Sequence, residues 1–381
     1  MQQETSNISP IANCQSPIAN GQCTESTRLP WLDFASGIMI LWMIIYHALQ
    51  TAWNYELNGL WNITDLSLLP EGVHAFINSE GNLEVLNPCL VFPWLHFFMP
   101  WFFYKSGQFF QKRSVKELWK KDSNKLLKTF IIWSFVGYVF FLALGSLQDT
   151  LTLRGATYSV LRRLFLVGNI QINGPCWFLL TLFGVRMIAN VLLPKQGGVF
   201  AILRIIGVIL LGYMISYLAY RFNHRLLPYW VANGAAGLSF FALGYAMRDW
   251  EQKWWVIVSC ALVYIAGGIW GFPMLGMMSN KLLSGNYLLC IPVAICCIVF
   301  FNAFCHLVYK YLQIKPLEVI GRNAMPIFVT HALIYKTIIT IFEHFNIQIS
   351  CVGMFYVIIA GYIVLLPLFC RLMDSKFYRK L

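Results

Sequence analysis

The sequence predicts an all-α polytopic bundle with about ten membrane-spanning helices, on three observations. Apolar stretches of roughly twenty residues recur about ten times along the 381-residue chain, each long enough at ~1.5 Å per residue to cross a ~30 Å hydrocarbon layer. The composition is 58% hydrophobic, 16% aromatic and only 12% charged, with a mean hydropathy of +0.62, so no separate soluble domain fits. The formal charge of +12 sits in alternate connecting loops and not on one basic face. Membrane topology explains that pattern, and nucleic acid is excluded as a partner.

The chain divides into a polar N-terminal tail (1–27), a membrane domain (28–373) and a short basic tail (374–381). The tail carries no basic leader, and the first apolar stretch is too long for a cleavable signal, so it is expected to remain as a helix. Spans are expected at 32–52, 90–110, 127–146, 174–193, 199–220, 229–248, 254–272, 287–308, 320–342 and 351–371. Between the first two, Glu56, Asp65, Glu71, Glu80 and Glu84 occur without a Lys or Arg. The next connection is dense in Lys112, Arg113, Lys116, Lys120, Lys121, Lys125 and Lys128. Short basic loops stay inside, which makes the first connection external and the second cytoplasmic. Ten spans then place both termini in the cytoplasm, in agreement with the basic residues Arg371, Lys376, Arg379 and Lys380. The expected location is a bacterial inner membrane.

The outward connection 147–173 departs from the pattern by carrying Arg154, Arg162 and Arg163, and YSVLRRLFLV within it reads as a short interfacial helix. These arginines contact lipid headgroups or hold an anionic acceptor at the outer mouth. Cys260, Cys290, Cys296, Cys297 and Cys305 lie in apolar runs without metal-ligand spacing and read as small buried hydrophobes, and no metal is implied. Cys89, Cys176 and Cys351 fall near outward helix ends, where a disulfide is open. Gly207 with Gly212, and Gly267, Gly268 and Gly271, read as close helix packing.

Chemistry concentrates in the first span. Ionisable groups inside a membrane are costly and usually functional, and LDFASGIMILWMIIYHALQ holds His47. Ser36 precedes His47 by eleven residues, about three turns at ~3.6 residues each, so the two share a face, with Asp33 close to it. A neutral imidazole with an ordinary pKa near 6.5 can take a proton from a hydroxyl and return it near neutral pH. Asp33 either supports the first turn of the helix or joins His47 in the catalytic set.

RLPWLDFASGIMILWMIIYHA, with LD, then G, then a terminal H, resembles the first-helix motif of the acyltransferase 3 family. MPWFFYKSGQFFQKR (99–113), GPCWFLLTLFGVR (174–186) and IGRNAMPIFVTHALIYK (320–336) resemble later family segments in the same order. The resemblance implies an enzyme that moves an acyl group, most often acetyl, from cytoplasmic acyl-CoA to a hydroxyl of a glycan or glycolipid at the outer side. On this resemblance His47 is the base that activates the acceptor. His331 matches a later histidine and Trp177 the aromatic of the WFL helix, and both are assigned to substrate binding with Arg162, Arg163, Arg322 and Asn323. The family places a cation just before the first-motif glycine, where this chain has Ser36, and the second helix carries Lys105 where an apolar residue is usual. If the two motifs face each other, the Lys105 ammonium fills the gap. Acyl-CoA enters as donor substrate, with no tightly bound cofactor, and the partners are the donor, the acceptor and membrane lipid. The competing readings are a glycan-precursor transporter whose polar path is His47, His331 and Lys336, and an inactive member of the same fold.

Overall fold

The computed structural model describes residues 29–57, 95, 97–147, 153–169, 173–195, 198–222, 227–248, 253–270 and 287–375, and its regular elements are helices. In chain order these are α1 (Pro30–Leu57), α2 (Phe98–Gln108) and α3 (Val115–Asp122), which continues through a π-helical turn (Ser123–Leu127) into α4 (Lys128–Leu147). Then come α5 (Leu153–Val167) and a 3₁₀ turn (Gly174–Cys176) that opens α6 (Trp177–Leu192). The rest are α7 (Val199–Arg221), α8 (Tyr229–Ala246), α9 (Trp254–Trp270), α10 (Tyr287–Tyr311), α11 (Lys315–Arg322), α12 (Ala324–His344) and α13 (Cys351–Asp374).

Seven described segments are long and apolar enough to cross a membrane, and they coincide with seven of the ten expected stretches. The other three differ for local reasons. Helix α2 is an 11-residue helix within the 90–110 stretch. Helix α8, rich in glycine and alanine and carrying Asn233, is an interior helix packed among α2, α6 and α7. The apolar part of α9 is the shorter segment Trp254–Ala266.

Two boundaries also move. The basic connection after α2 is itself helical, because Ser114 and Glu117 form a capping box: Glu117 N donates to Ser114 Oγ at 3.3 Å, and Ser114 N donates to Glu117 Oε2 at 3.4 Å. The expected span 320–342 is broken at Asn323, which joins α11 to α12. Pro326 explains the break, since a proline ring clashes with the carbonyl four residues earlier, here that of Arg322. Within 147–173, where an interfacial helix is expected, the helix α5 forms. The N-terminal tail, the acidic residues Asp65, Glu71, Glu80 and Glu84, the basic tail Lys376, Arg379 and Lys380, and Cys89 lie outside the described residues, as does Gly271. Nothing is described of the side chains of Glu56, Arg154, Cys290, Gly267 or Gly268.

Helix α1 is the hub, touching α2, α10, α11, α12 and α13, while α8 organises a second group with α2, α6 and α7. Both hubs pack backbone to backbone through glycine. A Cβ at Gly37 would overlap the carbonyl of Leu317 on α11, and one at Gly321 would overlap the carbonyl of Asp33 on α1. In the second group, Gly107 on α2 faces the Phe241 carbonyl on α8, and Gly244 on α8 faces the Tyr104 carbonyl on α2. Gly212 approaches Ala235 and Ser239 as expected of close packing, whereas Gly207 has no neighbour within 4 Å.

Near the basic connection, Arg186 on α6 grips Asp122 in a two-pronged ion pair, Nε to Oδ2 at 2.6 Å and Nη2 to Oδ1 at 3.3 Å. Asp122 is 3% exposed, so neither charge can be left alone without a desolvation cost. Arg186 also lies over the Phe110 ring at 5.2 Å. This pair fastens the π-helical turn to α6.

Two outcomes follow for stability in detergent. Gly321→Ala is expected to lower the thermal midpoint, at a cost of about 1–3 kcal/mol from overpacking, while Gly184→Ala, with open space around the position, leaves it unchanged or raises it. Equal midpoints for the two variants would contradict the packing described. Asp122→Asn alone is expected to cost about 3–5 kcal/mol, whereas Asp122→Leu with Arg186→Met is expected to restore most of that loss in the same melt.

Candidate active site

The glycine contact between α1 and α11 sets the level at which two histidines arrive. His47 lies ten residues beyond Gly37 on α1, and His331 lies ten residues beyond Gly321, across the Asn323 joint and into α12. Starting from touching glycines, the two chains bring their imidazoles together, with ring centroids 5.2 Å apart and planes inclined by 31°. Tyr335, one turn beyond His331, completes the cluster: its ring stacks near His47 at 6.1 Å with an interplanar angle of 17°, and lies 6.3 Å from His331. Tyr46 packs beside His47 at 5.2 Å.

His331 is wholly buried. Its Nδ1 is 2.9 Å from the Phe328 carbonyl oxygen and 3.2 Å from that of Ile327. Carbonyl oxygens only accept, so Nδ1 carries a proton, and in the neutral ring the lone pair is then on Nε2. That Nε2 is buried and has no hydrogen-bond partner among the described residues. A buried polar atom without a partner is costly, and a neutral imidazole fixed in one tautomer with its basic nitrogen unspent is suited to hold a proton donor. His47 is half-buried, so it retains access that His331 lacks.

A second polar centre lies eleven residues back along α1, roughly 16 Å at ~1.5 Å per residue. Lys105 on α2 donates to Ser36 Oγ and, at 3.4 Å, to the Leu32 carbonyl. Ser36 Oγ donates to the same carbonyl at 2.5 Å. The ammonium also lies 5.4 Å from the centre of the Trp101 ring, whose Nε1 donates to Asn302 Oδ1 at 2.8 Å and is thereby fixed. The two motifs do face each other, and the Lys105 charge sits against the serine.

The remaining sequence-derived positions separate. Asp33 lies fourteen residues before His47, about 21 Å along a continuous helix, and does not join it. Nor does it occupy the capping position, because the helix begins at Pro30; it retains the favourable place of an acid in a first turn. Trp177 is buried at the start of α6 and reaches the histidines only through intervening rings: it packs on Phe178 at 6.0 Å, Phe178 on Phe328 at 5.3 Å, and Phe328 on His331 at 6.1 Å. Arg162 faces outward and is exposed, while Arg163 turns inward, donating from Nε to Asn169 Oδ1 at 3.1 Å. Burial lowers the Arg163 pKa from the usual guanidinium value. Arg322 donates to the Glu318 carbonyl at 3.4 Å and Asn323 to that of Val319 at 2.9 Å, so both serve the joint between α11 and α12. In α11, Glu318 Oε1 accepts from Lys315 Nζ and Tyr309 OH, each at 3.0 Å, and the lysine bond holds its carboxyl below the usual range.

Sequence reasoning missed Tyr335, Asn302 and the Arg186–Asp122 pair. Tyr335 had a usable signal, its place four residues after His331 on the same helix face. The other two are long-range pairings with no local pattern to announce them.

Cys260, Cys297 and Cys305 are buried, and Cys176 and Cys351 are free thiols. No curated protein and no solved structure matches the chain. The sequence model of the acyltransferase domain of type 3 matches residues 29–370, spanning both histidines, Lys105 and the glycines that align them. The chain is therefore a membrane protein of the acyltransferase 3 family, with an acyltransferase activity in the general sense that membership carries.

Proposed function

We propose that the protein is an O-acyltransferase, with acetyl as the acyl group, that uses the His47–His331 pair to move it from cytoplasmic acyl-CoA to a hydroxyl of a glycan or glycolipid at the outer side of a bacterial inner membrane. The observation that carries this reading is the buried Nε2 of His331 beside a half-buried His47. His47 takes the acceptor hydroxyl proton as the oxygen attacks the thioester carbonyl. The tetrahedral intermediate collapses with loss of the thiolate, which receives the proton back from the imidazolium, so the products are the ester and free coenzyme. His331 is a positioning residue: its Nε2 lone pair is available to accept from an N–H of a charged His47 and so stabilises that charge.

Lys105 serves the donor at the other end. The roughly 16 Å between Ser36 and His47 is a distance that an extended pantetheine arm covers, so a cation beside Ser36 meets the phosphates while the thioester approaches the histidines. Arg163 and Trp177 lie on the acceptor side, Arg322 and the basic connection on the donor side. With ten crossings both termini are cytoplasmic, following the charge of the connections.

In lipid vesicles with radiolabelled acetyl-CoA, the wild-type protein is expected to cleave the thioester with time, by transfer or by hydrolysis. His47→Ala is expected to slow that by about 10²–10⁴-fold, the range typical of a lost general base. His331→Ala is expected to reduce kcat less and to shift its pH profile, which a purely structural loss would not do. Undiminished cleavage by His47→Ala would refute the assignment, and uptake of a labelled glycan without thioester cleavage would establish a transporter instead. Lys105→Leu is expected to raise KM for acetyl-CoA with little change in kcat, and adding Ser36→Arg is expected to restore it. A dead double variant beside an active Lys105→Leu single variant would remove Lys105 from the donor site.

A further inference from the structure

Beside the histidines, between α1 and α13, lies a cavity of about 320 Å³ whose walls include Leu41, Ile44 and Ile45 on one side and Phe355, Ile359 and Tyr362 on the other. We infer that this cavity holds the hydrocarbon chain of a lipid-anchored acceptor whose headgroup hydroxyl is presented to His47. The inference rests on the proposed reaction and names the class of its acceptor.

Four features support it. The volume is at the lower end of those of small-molecule sites, about 300–1,000 Å³. The walls are hydrocarbon and aromatic, so a sugar, nucleotide or peptide placed there would lose its hydrogen bonds to water and gain none. The cavity lies near the reacting centre: Ile44 on its wall is one turn from His47 on α1, and Tyr362 walls it from α13, the helix packed against the α12 that carries Tyr335. Tyr335 in turn stacks near His47. The Tyr362 hydroxyl is buried without a hydrogen-bond partner among the described residues, and the residue is 2% exposed. Finally, the rim residues Tyr356 and Ile363 are 65% and 70% exposed on the outside of the bundle, so the opening faces the bilayer and a chain enters sideways without crossing water.

The level of the cavity sets the pose. Leu41 and Ile44 lie six and three residues before His47, so the chain runs about 5–9 Å from the imidazole toward the Lys105 end while the headgroup stays at the histidines. A free, water-soluble glycan would leave the cavity unused.

The test uses photolabelling, which needs no thioester and no turnover. Its failure and the failure of acyl transfer are therefore separate results. Vesicles containing the full-length protein and a dodecyl glucoside with a diazirine in its chain are irradiated, and the labelled peptides are located by mass spectrometry. Label is expected to concentrate in 41–45 and 355–363, to be displaced several-fold by unlabelled dodecyl glucoside, and to resist glucose and added phosphatidylcholine. Ile359→Trp, which fills the cavity, is expected to reduce labelling several-fold with an unchanged thermal midpoint. Label spread evenly over lipid-facing helices such as α7, or displaced equally well by phosphatidylcholine, would make the occupant bulk lipid and overturn the inference in wild-type protein, whether or not the variant folds.

Discussion

The contact of two glycines, Gly37 on α1 and Gly321 on α11, is the constraint on which the rest of the site depends. Without side chains at these positions the backbones meet, Gly37 against the Leu317 carbonyl and Gly321 against that of Asp33. Such a contact fixes register as well as distance, because a helix resting on a carbonyl cannot slide by a residue without driving a side chain into the neighbouring backbone. From that fixed point each histidine is ten residues away, and the rings meet at 5.2 Å. The break at Asn323 is part of the same device. It lets a short helix lie against the start of α1 while α12 takes its own direction toward His47.

Charge is distributed along α1 in a way that suits a two-substrate reaction. Lys105, Ser36 and the Arg186–Asp122 pair lie toward one end, while the histidine pair lies about three turns away among aromatic rings. The proposed polyanionic donor and the reacting centre have different electrostatic needs, and a membrane interior penalises any cation that is not held. Lys105 is held by contacts that include a hydroxyl, a carbonyl and an indole face. The carbonyl bonds to His331 Nδ1 settle its tautomer before any substrate arrives.

Much of this was legible in the sequence. The helical class follows from hydropathy alone, since hydrocarbon leaves a backbone few ways to satisfy its hydrogen bonds. The facing of Ser36 and Lys105 was readable because turn arithmetic places motif residues on faces and because an exchanged charge leaves a trace at a second position. The pairing of His47 with His331 was only half readable: each stands in an apolar run, but nothing in the local pattern sets the two at one level. Their common level comes from the break before Pro326 and the glycine contact, which depend on three-dimensional packing. The packing of α8 among α2, α6 and α7 likewise has no local signal in its sequence. Asp33 shows the opposite error, a residue close in sequence pattern to the catalytic face yet too far along a straight helix to serve it.

The central claim is that a thioester brought in from the Lys105 end reaches the imidazole pair. The most direct measurement is a structure of the protein with a non-hydrolysable acetyl-CoA analogue bound. The account predicts the analogue's phosphates beside Lys105 and its carbonyl group beside His47, leaving about 3–3.5 Å for the attacking oxygen between them. An analogue held with its acyl end away from both histidines would contradict it.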